Sequence, residues 1–203
     1  MTGHILPFMK STKDDKRAAI LKAGEELMLR KGYHGTGIQE IVDIAGVPKG
    51  SFYNYFKSKE DFALATMEHS SRDHINGFED ALMSELQSPR QRIIDQYTSM
   101  AATYDESRNY TTGCFVGNLC QELADTNTAV AEKAEYLFRD YTAPLARCIR
   151  SAQDAGEVNR GADSDRLAEA IFNSWEGAIL RMKSSRNILP LNAFLDMLAV
   201  LLQ

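Results

Sequence analysis

The sequence predicts an all-α fold, with a small N-terminal domain of three helices containing a helix-turn-helix and a larger helical domain behind it. Three observations predict this. Apolar residues recur at helical spacing in one segment after another, and no segment shows the sustained alternation of a strand. Gly46 and Pro48 break residues 36–60 into two short helices joined by a tight turn. Charge is divided along the chain: residues 1–60 carry ten Lys/Arg against seven Asp/Glu, and residues 61–203 carry thirteen against twenty-one. A mildly basic head on an acidic body suits a chain that meets a polyanion with one end only.

Residues 1–11 read as a disordered arm. The first helix is predicted over 12–31, with Ile20, Ala23, Gly24 and Leu27 as its apolar stripe. Arg30 and Lys31 complement its C-terminal dipole, and Gly32 ends it. Thr36 and Gln39 have the spacing of a capping box. Ile38, Ile41, Val42 and Ala45 then form one face of the second helix, and Gly46 stops it. Pro48 suits the first position of the third helix. Val47, Phe52 and Phe56 point inward, which leaves Lys49, Ser51, Tyr53 and Tyr55 outside, while Gly50 permits close approach to a phosphate or base edge. Ser58, with Asp61 three residues on, caps the next helix.

That helix is predicted over 59–86 and joins the domains, set at 12–58 and 59–203. Pro89 opens another, to 106. A loop over 107–113 leads to a short helix over 114–124. After a turn at 125–127 a long helix runs to 155, with Gly156 as its cap, and the last two span 163–184 and 190–202. Leu167, Ile171, Ser174, Ala178 and Met182 share one face of the penultimate helix, and Phe194, Leu195, Leu198, Leu201 and Leu202 make the last one strongly apolar. Two such helices from each of two chains would form a four-helix bundle. A homodimer also suits a helix-turn-helix reading two half-sites about 34 Å apart. A monomer burying the same faces internally is the alternative.

No apolar run approaches the ~20 residues of a membrane span. The stretch around Ile5 and Phe8 is too short for a signal-peptide core and contains Pro7. Together with an odd count of three cysteines, this points to the reducing cytoplasm. His4, His34, His69 and His74 show no metal-ligand spacing, and no Walker loop, Rossmann glycines or nucleophile elbow is present, so no metal or cofactor is expected.

The run Val47-Pro48-Lys49-Gly50-Ser51-Phe52-Tyr53-Asn54-Tyr55-Phe56-Lys57-Ser58-Lys59-Glu60 resembles the recognition-helix signature of the TetR family of bacterial transcriptional regulators. Gly32-Tyr33, Thr36 and the segment 38–45 resemble the family's lead-in. The resemblance covers about residues 13–64 and implies an all-helical homodimer with an N-terminal DNA-binding domain and a C-terminal ligand-binding and dimerisation domain. It would act on double-stranded operator DNA and respond to a small-molecule effector, without being an enzyme. Thr36, Gln39, Lys49, Gly50, Ser51, Tyr53, Tyr55 and Lys59 are then the candidate DNA-binding residues. Among them Lys49, Ser51 and Tyr53 are expected at base edges or phosphates, and Thr36, Tyr55 and Lys59 on the DNA backbone.

Gly113-Cys114-Phe115-Val116-Gly117-Asn118-Leu119-Cys120 and Trp175-Glu176-Gly177-Ala178-Ile179-Leu180-Arg181-Met182-Lys183 resemble a TetR subgroup of electrophile-responsive repressors, which respond to N-ethylmaleimide or acrylate. That resemblance pairs Cys114 with Lys183. A helix N-terminus and a nearby ammonium would both lower the thiol pKa. Tyr104, Tyr110, Asn118 and Trp175 are further pocket candidates, each with apolar surface and a polar handle. Plainer readings stand beside these: Cys114 as a small buried hydrophobe, Lys183 as a helix-dipole partner, and Cys120 and Cys148 as core. Cys114 and Cys120 cannot bridge within one helix, because six residues rise ~9 Å and a disulfide needs Cα atoms within ~7 Å. Two other functions stay open: a thiol enzyme consuming electrophiles or peroxides through Cys114, and a DNA-binding protein with no ligand.

Overall fold

A computed structural model describes residues 13–104 and 110–203. The expected arm over 1–11 and part of the loop expected over 107–113 lie outside them. The described residues form helices and turns, in the order α1 (Lys13–Lys31), α2 (Ile38–Ile44), α3 (Lys49–Tyr53), α4 (Lys59–Met83), α5 (Pro89–Ala102), α6 (Phe115–Leu123), α7 (Thr128–Asp154), α8 (Ser164–Ser185) and α9 (Leu189–Leu201).

The chain divides into two compact units, one ending at Thr66 and the other spanning Met67–Gln203. The division falls inside α4, beyond the boundary expected at residue 58. The reason is aromatic packing. Phe62, in the first turns of α4, lies 5.1 Å from Phe52 and 4.9 Å from Phe56 between ring centroids. These rings join Ile20, Leu21, Leu27, Ile41 and Val42 in the core of the first unit. Gly24 faces the same ring: a Cβ there would sit 2.1 Å from Phe62 Cζ, so the helix comes this close only because position 24 has no side chain. Gly46 adopts φ +65° in the turn between α2 and α3.

Two local details differ from expectation. No capping box forms at α2: Gly37 is the N-cap, the Thr36 hydroxyl donates back to the Gly32 carbonyl at 2.8 Å, and Gln39 Nε2 donates to Asp43 Oδ1 at 2.8 Å. Pro48 stands as the N-cap of α3, one position before its expected place, with extended backbone that suits the residue's fixed φ.

In the second unit α7 packs on α5, α6 and α8, and α9 covers α5 and α8. Side-chain caps start these helices: Ser88 Oγ accepts from Gln91 N–H, Asn127 Oδ1 from Val130 N–H, and Asp163 Oδ1 from Arg166 N–H. α7 carries Pro144 in its interior, which removes one helical donor. On the outside, Arg72 of α4 bonds Glu68 and reaches Asp140 of α7 at 3.0 Å, while Lys133 Nζ donates to Glu68 at 3.1 Å.

The expected dimer stripe is corrected by this packing. Leu167, Ile171, Ala178, Met182, Phe194 and Leu198 are buried within the single chain, in the core with Tyr97, Trp175 and Ile149. Helical periodicity reveals which residues share a face, but the chain's own α5 and α7 already cover this one. Ser174 is exposed and Leu201 half-buried. The apolar residues that α8 and α9 present outward are Leu180 at 49% exposure, Met197 at 54%, Val200 and Leu189.

Candidate functional sites: an exposed short helix and a thiol–carboxylate cluster

The first site is the outer side of α3. Phe52 is anchored inward beneath it. Lys49 and Gly50 are exposed, Tyr53 is 54% exposed, and Ser51 is half-buried. Gln39 of α2 is exposed as well. The three residues expected on the DNA backbone are committed within the chain. Thr36 is only 2% exposed and bonded to Gly32. Tyr55 Oη donates to the Lys13 carbonyl at 3.0 Å, fastening α1 to the end of the turn. Lys59 Nζ donates to the Tyr33 carbonyl and stands 4.2 Å above that ring's centroid, a cation–π arrangement. In this arrangement these three polar groups brace the unit that presents α3.

The second site lies where α6 meets α8. Cys114 is the N-cap of α6, and its Sγ accepts a hydrogen bond from the Gly117 N–H at 3.3 Å. Two glycines let the backbone close in on α8. A Cβ at position 113 would sit 2.8 Å from Lys183 Cδ, and one at position 117 would sit 3.0 Å from Glu176 Oε2 and 3.6 Å from Cys114 Sγ. The thiol and the Glu176 carboxyl therefore converge on the notch above Gly117. Lys183 Nζ donates instead to Asn118 Oδ1, at 2.8 Å.

This arrangement corrects the expected electrostatics of Cys114. Burial, and then the negative charge of Glu176, push the thiol well above its ordinary pKa, against the smaller lowering from the Gly117 and Val116 N–H groups. The helix N-terminus contributes, but it loses to the acid beside it. Glu176 is itself pushed up by burial. Tyr104 and Tyr141 are raised by burial and then by Cys114 and Glu176, so both belong to the same cluster. Trp175 is buried, with its ring 5.4 Å from that of Tyr97 and 6.3 Å from that of Tyr104. Tyr110 adopts φ +51° and packs on the core.

Tyr97, Tyr141 and Glu176 were not singled out from sequence. Glu176 and Lys183 are seven apart, so they share a helix face with Ile179 between them, and an acid on that otherwise apolar face was the available signal. Tyr97 and Tyr141 carry no comparable mark, because only packing brings them together. Cys120 is half-buried and Cys148 buried, and both are free thiols. Among the described residues no group of His, Cys, Asp and Glu could hold a metal ion, and no helix is long and apolar enough to cross a membrane.

Residues 20–66 match the family model for bacterial regulatory proteins of the tetR family, and residues 89–198 match that for the tetracyclin repressor-like C-terminal domain. The chain belongs to the TetR family. It is 34% identical to the transcriptional repressor DhaR of Mycobacterium sp. strain GP1 over 88% of each chain. It is 35% identical to the transcriptional regulator AcuR of Cereibacter sphaeroides, over 87% of this chain and 80% of that one. The reduced form of Escherichia coli NemR superposes with a TM-score of 0.83 at 28% identity, covering 93% of this TetR-family chain and 98% of NemR. These TetR-family relatives are transcriptional regulators.

Proposed function

We propose that this TetR-family protein is a ligand-responsive repressor that binds operator DNA as a homodimer and releases it when a small molecule engages the cluster around Cys114. The observation that carries the DNA half is the outward set on α3: Lys49, Gly50 and Tyr53 face solvent, with Ser51 half-buried among them, on a helix pinned by Phe52. Lys49 supplies charge to phosphate or a base edge, Ser51 and Tyr53 supply hydroxyls, and Gly50 allows close approach. Gln39 stands beside them on α2. The second copy is assigned to the exposed face of α8 and α9 that includes Ser174, Leu180, Met197 and Val200, since the inward stripe is already filled.

The effector half rests on the thiol–carboxylate–tyrosine cluster and its contact with α4. Phe78 of α4 lies 5.8 Å from Tyr97 and 5.6 Å from Tyr141 between centroids. α4 continues from there into the first unit, so a ligand that rearranges these rings acts on the helix leading to α3. Such a ligand must bind the DNA-incompetent state more tightly, because equal affinity shifts nothing. A reactive electrophile is the favoured effector on account of Cys114. The raised thiol pKa also supports a non-covalent ligand held by the tyrosines, Asn118 and Trp175.

The test is release of a duplex selected by the protein from a random-sequence DNA library. N-ethylmaleimide is expected to release the duplex from the native protein and not from Cys114→Ser, which should bind DNA normally. Release of both proteins alike would remove Cys114 from the sensing role and leave the non-covalent ligand. Failure to select any sequence would refute operator binding.

A further inference from the structure

Glu176 is an acid set beside a thiol and tyrosines, and its Oε2 and Cys114 Sγ close on the same notch above Gly117. Among the described residues, several groups face Cys114. From α8 come Glu176 and Lys183, the latter bonded to Asn118 Oδ1. From the residues after α5 comes Tyr104, and from α7 comes Tyr141. α6 supplies the Gly117 and Val116 N–H groups, the former at 3.3 Å. Tyr97 of α5, 1% exposed, has a hydroxyl with no hydrogen-bond partner and lies within electrostatic reach of Glu176 and Tyr141. A buried donor left unpaired costs free energy, so this hydroxyl marks a place where a ligand acceptor would be welcomed.

Resting on the reading of Cys114 as the sensing group, we propose that Glu176 is the positioning residue that holds Cys114 as a neutral thiol, keeping it slow toward electrophiles until the carboxylate loses its charge or is drawn away. Two opposite roles can be given to such an acid, and they differ in sign. A general base would speed alkylation. An electrostatic brake slows it, because a carboxylate beside the sulfur opposes a second negative charge. Proton transfer to Glu176 does not escape this. Thiolate next to a protonated acid is no more abundant at a given pH than thiolate next to a neutral amide, whereas thiol next to carboxylate is an additional resting state. The reacting species is the thiolate. In alkylation by N-ethylmaleimide the thiol proton passes to water, sulfur bonds to one alkene carbon, the π pair moves onto the imide as an enolate, and water protonates the other carbon. No oxidant or reductant enters. A ligand that donates a hydrogen bond or brings positive charge to Glu176, while accepting one from Tyr97, would lift the brake.

The experiment measures Cys114 labelling by limiting N-ethylmaleimide from pH 6 to 9, by peptide mass spectrometry, in the full-length native protein, Glu176→Gln and Glu176→Asp. Glu176→Gln is expected to label about tenfold faster at pH 7, its profile displaced about one unit downward. Glu176→Asp, which restores the charge, is expected within about threefold of native. Cys148, which Glu176 does not touch, should label at an unchanged rate in all three. An unmoved or slower Cys114 in Glu176→Gln would overturn the proposal, and so would equal acceleration at Cys148, which would signify a loosened fold. DNA release is read on the same samples. Faster labelling of Cys114 without release would refute its sensing role while leaving the brake established.

Discussion

Lys183 Nζ donates a hydrogen bond to Asn118 Oδ1 at 2.8 Å, and the backbone N–H of Asn118 in turn donates to the Cys114 carbonyl at 2.9 Å. The lysine thus ties α8 to the first turn of α6 and leaves the thiol to Glu176. A bond from a charged donor to a half-buried amide is worth about 1–2 kcal/mol. Lys183→Met and Asn118→Ala should each cost about that much in urea unfolding, and the double variant should cost less than the two together. Strict additivity would show that the bond does not form in solution.

The corrected faces of α8 and α9 make a second prediction. Leu198 is 1% exposed inside the chain, so Leu198→Asp buries an unpaired charge and should cost roughly 4 kcal/mol or more, enough to unfold the protein. Leu180→Glu and Met197→Glu stand on the open face and should leave circular dichroism and thermal unfolding of the protomer nearly unchanged while shifting sedimentation toward monomer. A dimer persisting in both would place the interface elsewhere.

On DNA, Lys49 and Lys59 should behave differently. Lys49→Ala removes an exposed charge from α3 and should weaken binding and lower the salt dependence by about one counterion. Lys59 is engaged with Tyr33, so Lys59→Ala should leave the salt slope unchanged and instead lower the melting temperature through loss of an interaction worth about 0.5–1 kcal/mol. Equal salt slopes for the native protein and Lys49→Ala would remove Lys49 from the interface.

Gly24 provides a test of the first unit's core. Its Cβ position lies 2.1 Å from Phe62 Cζ and 2.5 Å from Cε1, and Phe62 is held by Phe52 and Phe56. Gly24→Ala should therefore cost about 1–3 kcal/mol as overpacking, despite alanine's better helix propensity. Combining it with Phe62→Leu should restore part of the loss. A Gly24→Ala variant more stable than the native protein would mean that the ring yields freely.

The sequence by itself determined the helix order, the turn at Gly46, the inward pair Phe52 and Phe56 and the exposure of Lys49 and Tyr53. Each follows from short-range rules, namely the period of 3.6 residues and the conformational limits of glycine and proline. It also marked Cys114 as a helix N-terminal thiol, which its N-cap position matches. The tertiary structure alone decided what surrounds each side chain. Periodicity found the stripe of Leu167, Ile171 and Met182 but could not tell that α5 and α7 of the same chain cover it. Likewise the spacing of Cys114, Glu176 and Lys183 along the chain is silent on which α8 group meets the thiol. The close approach at Gly113 and Gly117 sets Glu176 against the sulfur and Lys183 against Asn118, reversing the sign of the field on Cys114. Electrostatic effects fall with distance through a poorly screening interior, so they depend on where the fold places charges across α6 and α8, which local sequence rules do not contain.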